Sequence, residues 1–167
     1  KTPRSTIYSA VDKLGKRIVI KGSSNEAQLK NEYQLLMEID HPNVIKPLNF
    51  LNENDHSYII FPNAQGGDLL DKLTSEGPFE EDFVRKILRD IFDAVAYLHS
   101  VGVIHREITL ENILIFYQKG TELLKLGGFQ LAIKDKSSND FCGTIPYIAP
   151  EIIEKKECMF IEIFSMK

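Results

Sequence analysis

Hydrophobic and polar positions change period several times along the chain. Ile7–Val11 and Arg17–Lys21 are short segments that read as strands, joined through the turn Asp12-Lys13-Leu14-Gly15. From Ala27 to Ile39 the spacing becomes helical, with Leu29, Tyr33, Leu36 and Met37 on one face. His41-Pro42-Asn43 ends that helix, since proline disfavours a helical residue before it. Asn49–Leu51 and Ser57–Phe61 predict a hairpin over the polar turn Asn52–Asp55, and the pair Gly66-Gly67 precedes a short helix, Asp68–Thr74. A long amphipathic helix follows over Glu80–Ser100, with Phe83, Ile87, Leu88, Ile91, Val95 and Leu98 on its apolar face. Pro78 stands just ahead of it and Gly102 just behind, as helix punctuation should. Strand segments come next at Ile113–Phe116 and Leu123–Leu126, then a loop rich in Lys, Ser and Asp, and a helix start after Pro150. No repeat or low-complexity tract interrupts the pattern. Strands first and helices later predict an α+β fold, with a linker between the halves near Pro62–Gly67.

The 167 residues suit one domain. Apolar residues at 43% and charged residues at 26% are globular composition, not that of a disordered chain. The formal charge of −4 argues against a nucleic-acid partner drawn by bulk charge. No apolar run approaches the ~20 residues of a membrane span, and no signal peptide opens the chain. An intracellular, cytoplasmic protein away from the membrane is expected. Cys142 and Cys158 lack metal-ligand spacing and read as reduced thiols. The first residue is Lys1, which suggests a piece of a longer protein.

The candidate chemistry lies between Val103 and Ala132. One motif runs His105-Arg106-Glu107-Ile108-Thr109-Leu110-Glu111-Asn112, and a second runs Gly128-Phe129-Gln130. They resemble the catalytic loop H-R-D-L-K-P-E-N and the metal-binding turn D-F-G of the protein kinase family. Upstream, Ile18-Val19-Ile20-Lys21 resembles that family's V-A-I-K, and the residues after Glu32 resemble those after its helix glutamate. Downstream, Cys142 to Glu151 resembles the substrate-docking segment G-T-x-x-Y-x-A-P-E, and Glu162-Ile163-Phe164-Ser165 stands for D-x-W-S. The docking segment, with Glu111-Asn112, is similar to the Ser/Thr branch. The resemblance spans nearly the whole chain. It implies a two-lobed fold truncated at both ends: a β-rich upper lobe over 1–61, a hinge over 62–67 and a partial helical lower lobe over 68–167. Missing lower-lobe helices would leave an apolar patch on the long helix.

The resemblance also implies roles. Lys21 would grip the α- and β-phosphates of ATP and Glu32 would hold it, with Glu26 as an open alternative partner. Taken alone, Lys21 is only a strand-end charge. Phe61 would stand at the back of the adenine pocket, and the Pro62 carbonyl and Ala64 amide would bond the base. Asp68 would take the ribose, while Ile7, Val19 and Leu114 would sandwich the ring. Without the resemblance, these residues read as plain core around a loop. Thr2 and Ser5 stand where the family has glycines that bring backbone amides close to phosphate, so ATP should bind weakly.

The carboxylates that matter most to phosphoryl transfer are altered. Glu107 replaces the aspartate base with a side chain one methylene longer, and ~1 Å of misplacement can cost about a hundredfold. Thr109 replaces a lysine. Gly128 replaces the metal aspartate, leaving Asn112 as one neutral oxygen ligand, too little to hold magnesium well. Losing one charge-stabilising donor costs ~3–4 kcal/mol, and such groups act as a unit. A combined loss of ~10⁴ would take ordinary turnover of ~1–100 s⁻¹ to roughly 10⁻⁴–10⁻² s⁻¹. The expectation is an impaired pseudokinase acting as a nucleotide-binding or regulatory scaffold module for a protein or peptide partner. The alternatives are a divergent Ser/Thr kinase with Glu107 as base, and a non-functional remnant. His105, Phe129 and Leu36 are expected to stack in a buried column, His99 to sit as a favourable charge at its helix end, and Asp140 to be a solvated loop charge or a partner for Arg106.

Overall fold

The computed structural model describes residues 5–53, 56–135, 137–138, 143–144, 147 and 158–159. Its first half is an antiparallel sheet of order β1-β2-β4-β3, formed by β1 (Thr6–Val11), β2 (Arg17–Ser23), β3 (Asn49–Glu53) and β4 (His56–Pro62). The β1–β2 turn closes because Asp12 Oδ1 accepts from the amides of Leu14 and Lys16 at 2.8 and 2.9 Å. β2 runs two residues past Lys21, since Gly22 and Ser23 continue the ladder opposite Tyr58 and Ser57. Helix α1 (Glu26–Glu38) starts at Asn25, whose side chain accepts from the Gln28 amide. Its buried face is Leu29, Glu32 and Leu36. Tyr33 only packs against the edge of the core, and Met37, expected on that face, is exposed. Helical spacing puts Met37 one step round from Leu36, beyond the width of the buried stripe.

The second half is helical. The carboxylate of Asp68 caps α2 (Leu69–Glu76) by accepting from Asp71, so Asp68 precedes the helix instead of starting it. Gly77, at φ 84°, ends the helix by donating to the Leu73 carbonyl. Helix α3 (Glu81–Ser100) buries Ile87, Ile91, Ala94, Val95 and Leu98. Leu88 departs from the expected face: it forms an exposed row with Val84 and Phe92 at four-residue intervals, about 100° round from Ile87. That row is the apolar patch the sequence suggested. Among the described residues, no helix is long and apolar enough to cross a membrane.

Strands β5 (Val103–Ile104) and β8 (Ile133–Lys134) pair antiparallel, an association too short to show in the hydrophobic pattern. Between them lies the hairpin of β6 (Ile113–Gln118) and β7 (Thr121–Leu126), turned by Lys119 (φ 51°) and Gly120 (φ 79°). Positive φ at both positions matches the twist of a two-residue hairpin. Two backbone bonds tie this hairpin to the segment before β3: Ile45 N–H donates to the Leu126 carbonyl at 2.9 Å, and Leu126 N–H donates to Asn43 at 2.8 Å. Short strands β9 (Ser137–Ser138) and β10 (Cys158–Met159) also pair. One core runs through both halves, with Leu29, Leu36, Ile59, Leu69, Leu98, Leu126 and Phe129 among its members. The α+β expectation holds. Thr2, Asp140, Cys142, the helix start after Pro150 and the motif at Glu162 lie outside the described residues.

Candidate active site

Where the sheet meets the β6–β7 hairpin, a cavity of about 970 Å³ opens. It gathers Ile7, Val19, Lys21, Glu32, Phe61, Pro62, Ala64, Asp68, Glu107, Asn112, Leu114 and Gly128 from eight separate stretches of chain. Of the proposed site residues, only Thr109 stays off its wall. Thr109 is 4% exposed and points no charge or hydroxyl into the space.

The upper wall is built on β2 and α1. Lys21 Nζ reaches both carboxylate oxygens of Glu32 at 2.7 Å, and both residues are buried. Glu32, not Glu26, is therefore the partner; Glu26 instead accepts from Asn52 at 2.7 Å on the surface. Burial pushes the Glu32 carboxyl up from its usual range, and the ammonium of Lys21 pulls back against that shift. The back wall and linker come from Phe61, Pro62 and Ala64 as β4 runs out. Gly66 N–H donates to the Ile115 carbonyl and Ile115 N–H to that of Gly67, both at 2.9 Å, fixing the linker on the hairpin. A Cβ on Gly66 would strike the Ile115 side chain, so this close approach needs glycine. Asp68 bridges to Leu114 and spends one oxygen on its helix cap.

The lower corner is built around a buried histidine. His105 is 2% exposed; Nε2 lies 2.8 Å from the Gly127 carbonyl and Nδ1 is 3.2 Å from the Glu107 amide. With a carbonyl on one nitrogen and an N–H on the other, the ring fits as the neutral Nε2–H tautomer. Burial lowers its pKa to about 4, against the opposing pull of the Gly127 bond. Phe129 meets the ring edge-on at 4.5 Å between centroids, and the 3-10 turn Phe129–Leu131 packs on α1, with Phe129 and Leu36 both buried in the one core.

Beside that column, position 128 carries no side chain. Gly128 sits at φ 74°, and a Cβ built on it would collide with the side-chain amide of Asn112. With no side chain at 128, Asn112 has taken the space, and its Nδ2 donates to the Glu107 carbonyl at 2.8 Å. The Glu107 carboxylate accepts from neutral groups on both sides: Gln130 Nε2 at 2.9 Å and Thr144 Oγ1 at 3.2 Å. Arg106, at φ 67°, donates to the Leu131 carbonyl at 2.6 Å. Gln130 was not among the sequence candidates. Its signal was its place at the third position of the turn, where a long amide side chain reaches back to Glu107. Glu111 and Gln28 also line the cavity.

The sequence model of the Protein kinase domain family matches residues 4–166. The chain belongs to the protein kinase family. Among curated proteins, it is 36% identical over 152 residues to the serine/threonine-protein kinase DCLK1 of Rattus norvegicus, covering 90% of this chain and 35% of that protein. It is 32% identical over 163 residues to the serine/threonine-protein kinase RAD53 of Saccharomyces cerevisiae, covering 92% of this chain and 20% of that one. Calcium-dependent protein kinase 5 of Plasmodium berghei matches at 33% over 168 residues, covering 99% and 29%. The chain thus spans a fifth to about a third of these relatives' length.

A protein kinase domain generally binds ATP with magnesium, so the donor set can be tested against that metal. Magnesium takes hard oxygen ligands in near-octahedral order, with carboxylates as its usual protein anchors. Gly128 offers none, Asn112 offers an amide, and no cluster of three or more acidic, His or Cys side chains that could hold a metal occurs among the described residues. The donor set does not fit the metal.

Proposed function

We propose that this protein kinase domain is catalytically impaired and works as a nucleotide-binding or regulatory scaffold module in the cytoplasm, engaging a protein or peptide partner. One observation carries the reading: Asn112 fills the side-chain space at Gly128, and no group of three or more His, Cys, Asp or Glu side chains that could hold a metal ion occurs among the described residues. Phosphoryl transfer relies on positioning and charge stabilisation, so this absence removes the main catalytic contribution. Thr109, buried off the cavity, supplies no compensating cation. The lobes divide as 1–61, 62–67 and 68–167 in this reading. The hinge wall of Phe61, Pro62 and Ala64, with Ile7, Val19 and Leu114 about it, takes a flat heterocycle. Asp68 has one oxygen left for a ribose after capping α2.

A divergent Ser/Thr kinase is the second reading. It is favoured by the intact Lys21–Glu32 bridge and by a carboxylate, Glu107, on the cavity wall. The test is radiolabelled phosphate transfer from ATP and magnesium to a generic protein substrate, comparing the chain with Glu107→Ala. The first reading expects both at background. Transfer that disappears in Glu107→Ala establishes the second.

A further inference from the structure

We propose that the cavity selects uncharged ligands of the nucleoside class and rejects nucleoside triphosphates. This rests on the nucleotide-site reading above and reverses the ligand preference expected of an ATP site. The two ends of the cavity differ in what they offer. The hinge end is apolar, with Val19, Phe61, Ala64 and Leu114. The other described lining residues carry one ammonium, Lys21, against four carboxylates, Glu32, Asp68, Glu107 and Glu111. The ammonium is already bonded to both oxygens of Glu32 at 2.7 Å, so its charge is neutralised within the wall. The partners of Glu107 and Asp68 are a side-chain amide, a hydroxyl and a backbone N–H, which satisfy lone pairs without cancelling charge.

A phosphate chain would enter this region against at least two unneutralised carboxylates and, with Gly128, without an anchored cation. Repulsion between like charges at ~10 Å and an effective dielectric near ~20 weakens binding by roughly tenfold per added charge. A nucleoside carries no such penalty. Its ring meets the apolar end, and its hydroxyls can donate to the same carboxylates that repel phosphate.

Calorimetric titration with adenosine, AMP, ADP and ATP, at low salt with EDTA and again with magnesium, tests this. Affinity is expected to fall in that order, with adenosine at least tenfold tighter than ATP. Magnesium should not reverse the order, and added salt should narrow the gap by screening the repulsion. Glu111→Gln, on an exposed side chain, should strengthen ATP severalfold and so narrow the gap between adenosine and ATP, because the amide keeps an oxygen for a hydroxyl while its charge is gone. ATP binding as tightly as adenosine or tighter, with or without magnesium, overturns the proposal, as does an absence of adenosine binding. Neither result touches the impaired-transfer reading, which the Glu107→Ala comparison judges separately.

Discussion

The two walls of the cavity have kept different things. The upper wall retains a buried ion pair, Lys21–Glu32, at 2.7 Å. At the lower corner position 128 has no side chain, Asn112 donates to the Glu107 carbonyl, and the Glu107 carboxylate accepts from the neutral groups of Gln130 and Thr144. Burial explains the contrast. Losing one member of a buried pair leaves the other desolvated and uncompensated, so the pair is retained by fold stability whether or not phosphate is ever bound. The groups at the lower corner are half-buried or exposed, and water can replace what is lost there. An intact lysine–glutamate bridge is therefore weak grounds for inferring catalysis, and the corner beside Gly128 is the better indicator.

The largest effect should come from breaking the upper pair. Glu32→Ala leaves a buried ammonium and should cost ~3–5 kcal/mol in denaturant unfolding, whereas the double change Lys21→Met, Glu32→Leu should be near neutral. If the single change costs under ~1 kcal/mol, as an exposed pair would, the contrast between the walls is lost.

Next in size is the pH response of His105. Its folded pKa, about 4, lies below the ordinary 6.5, so the unfolded chain binds the proton first as pH falls. The stability it contributes is fully present above pH ~6.5 and is lost progressively down to about pH 4, a change of about 3 kcal/mol. His41 and His99 are lowered by burial too and act with the same sign. Unfolding free energy measured across this range should fall steeply, and His105→Leu should flatten the curve. Equal slopes in both proteins would mean that the imidazole is not buried neutral.

Much of this arrangement was legible beforehand. Periodicity located α1, α3 and the four upper strands, because each buries one face and repeats at its own period. The resemblance named about half of the residues that line the cavity, among them Lys21, Glu32, Phe61, Glu107, Asn112 and Gly128. Two things were hidden. Helix faces were drawn too wide: Leu88 and Met37 are apolar but lie a step beyond the buried stripe. The fate of Asn112 and Gln130 was also unreadable, since each responds in three dimensions to space vacated by another residue. Thr109, expected in the site, is buried and off the cavity wall.

Gly128→Asp asks whether the lower corner can be returned to the upper wall's condition. The added carboxylate meets Asn112, which occupies its space, and takes a left-handed backbone that aspartate tolerates better than most residues. The expected cost is ~1–3 kcal/mol from that crowding and strain. Magnesium should not recover it in a thermal melt. Adding Asn112→Ala should relieve part of the cost, so the double variant is less destabilised than the two single losses together. Magnesium-dependent stabilisation of Gly128→Asp alone would show that Asn112 moves aside freely and that the corner is poised for metal after all.

Glu107→Gln is the smallest and most discriminating change. The glutamine keeps one oxygen for a donor and presents an amide nitrogen to the other side. Thr144 can accept there through its hydroxyl, and Gln130 can do so by turning its amide. Both neighbours can therefore reverse their roles, and the cost should be ~0–1 kcal/mol, a melting shift of no more than about 4 °C for a domain of this size. Neutralising Glu32 on the upper wall offers no such exchange, because its partner is an ammonium that can only donate. Two carboxylates facing one cavity should thus differ several-fold in what their charge is worth to the fold. Equal losses in Glu107→Gln and Glu32→Ala would mean that the lower corner's charge is held by a cation, and the same calorimetric titrations would then have to show ATP binding with magnesium.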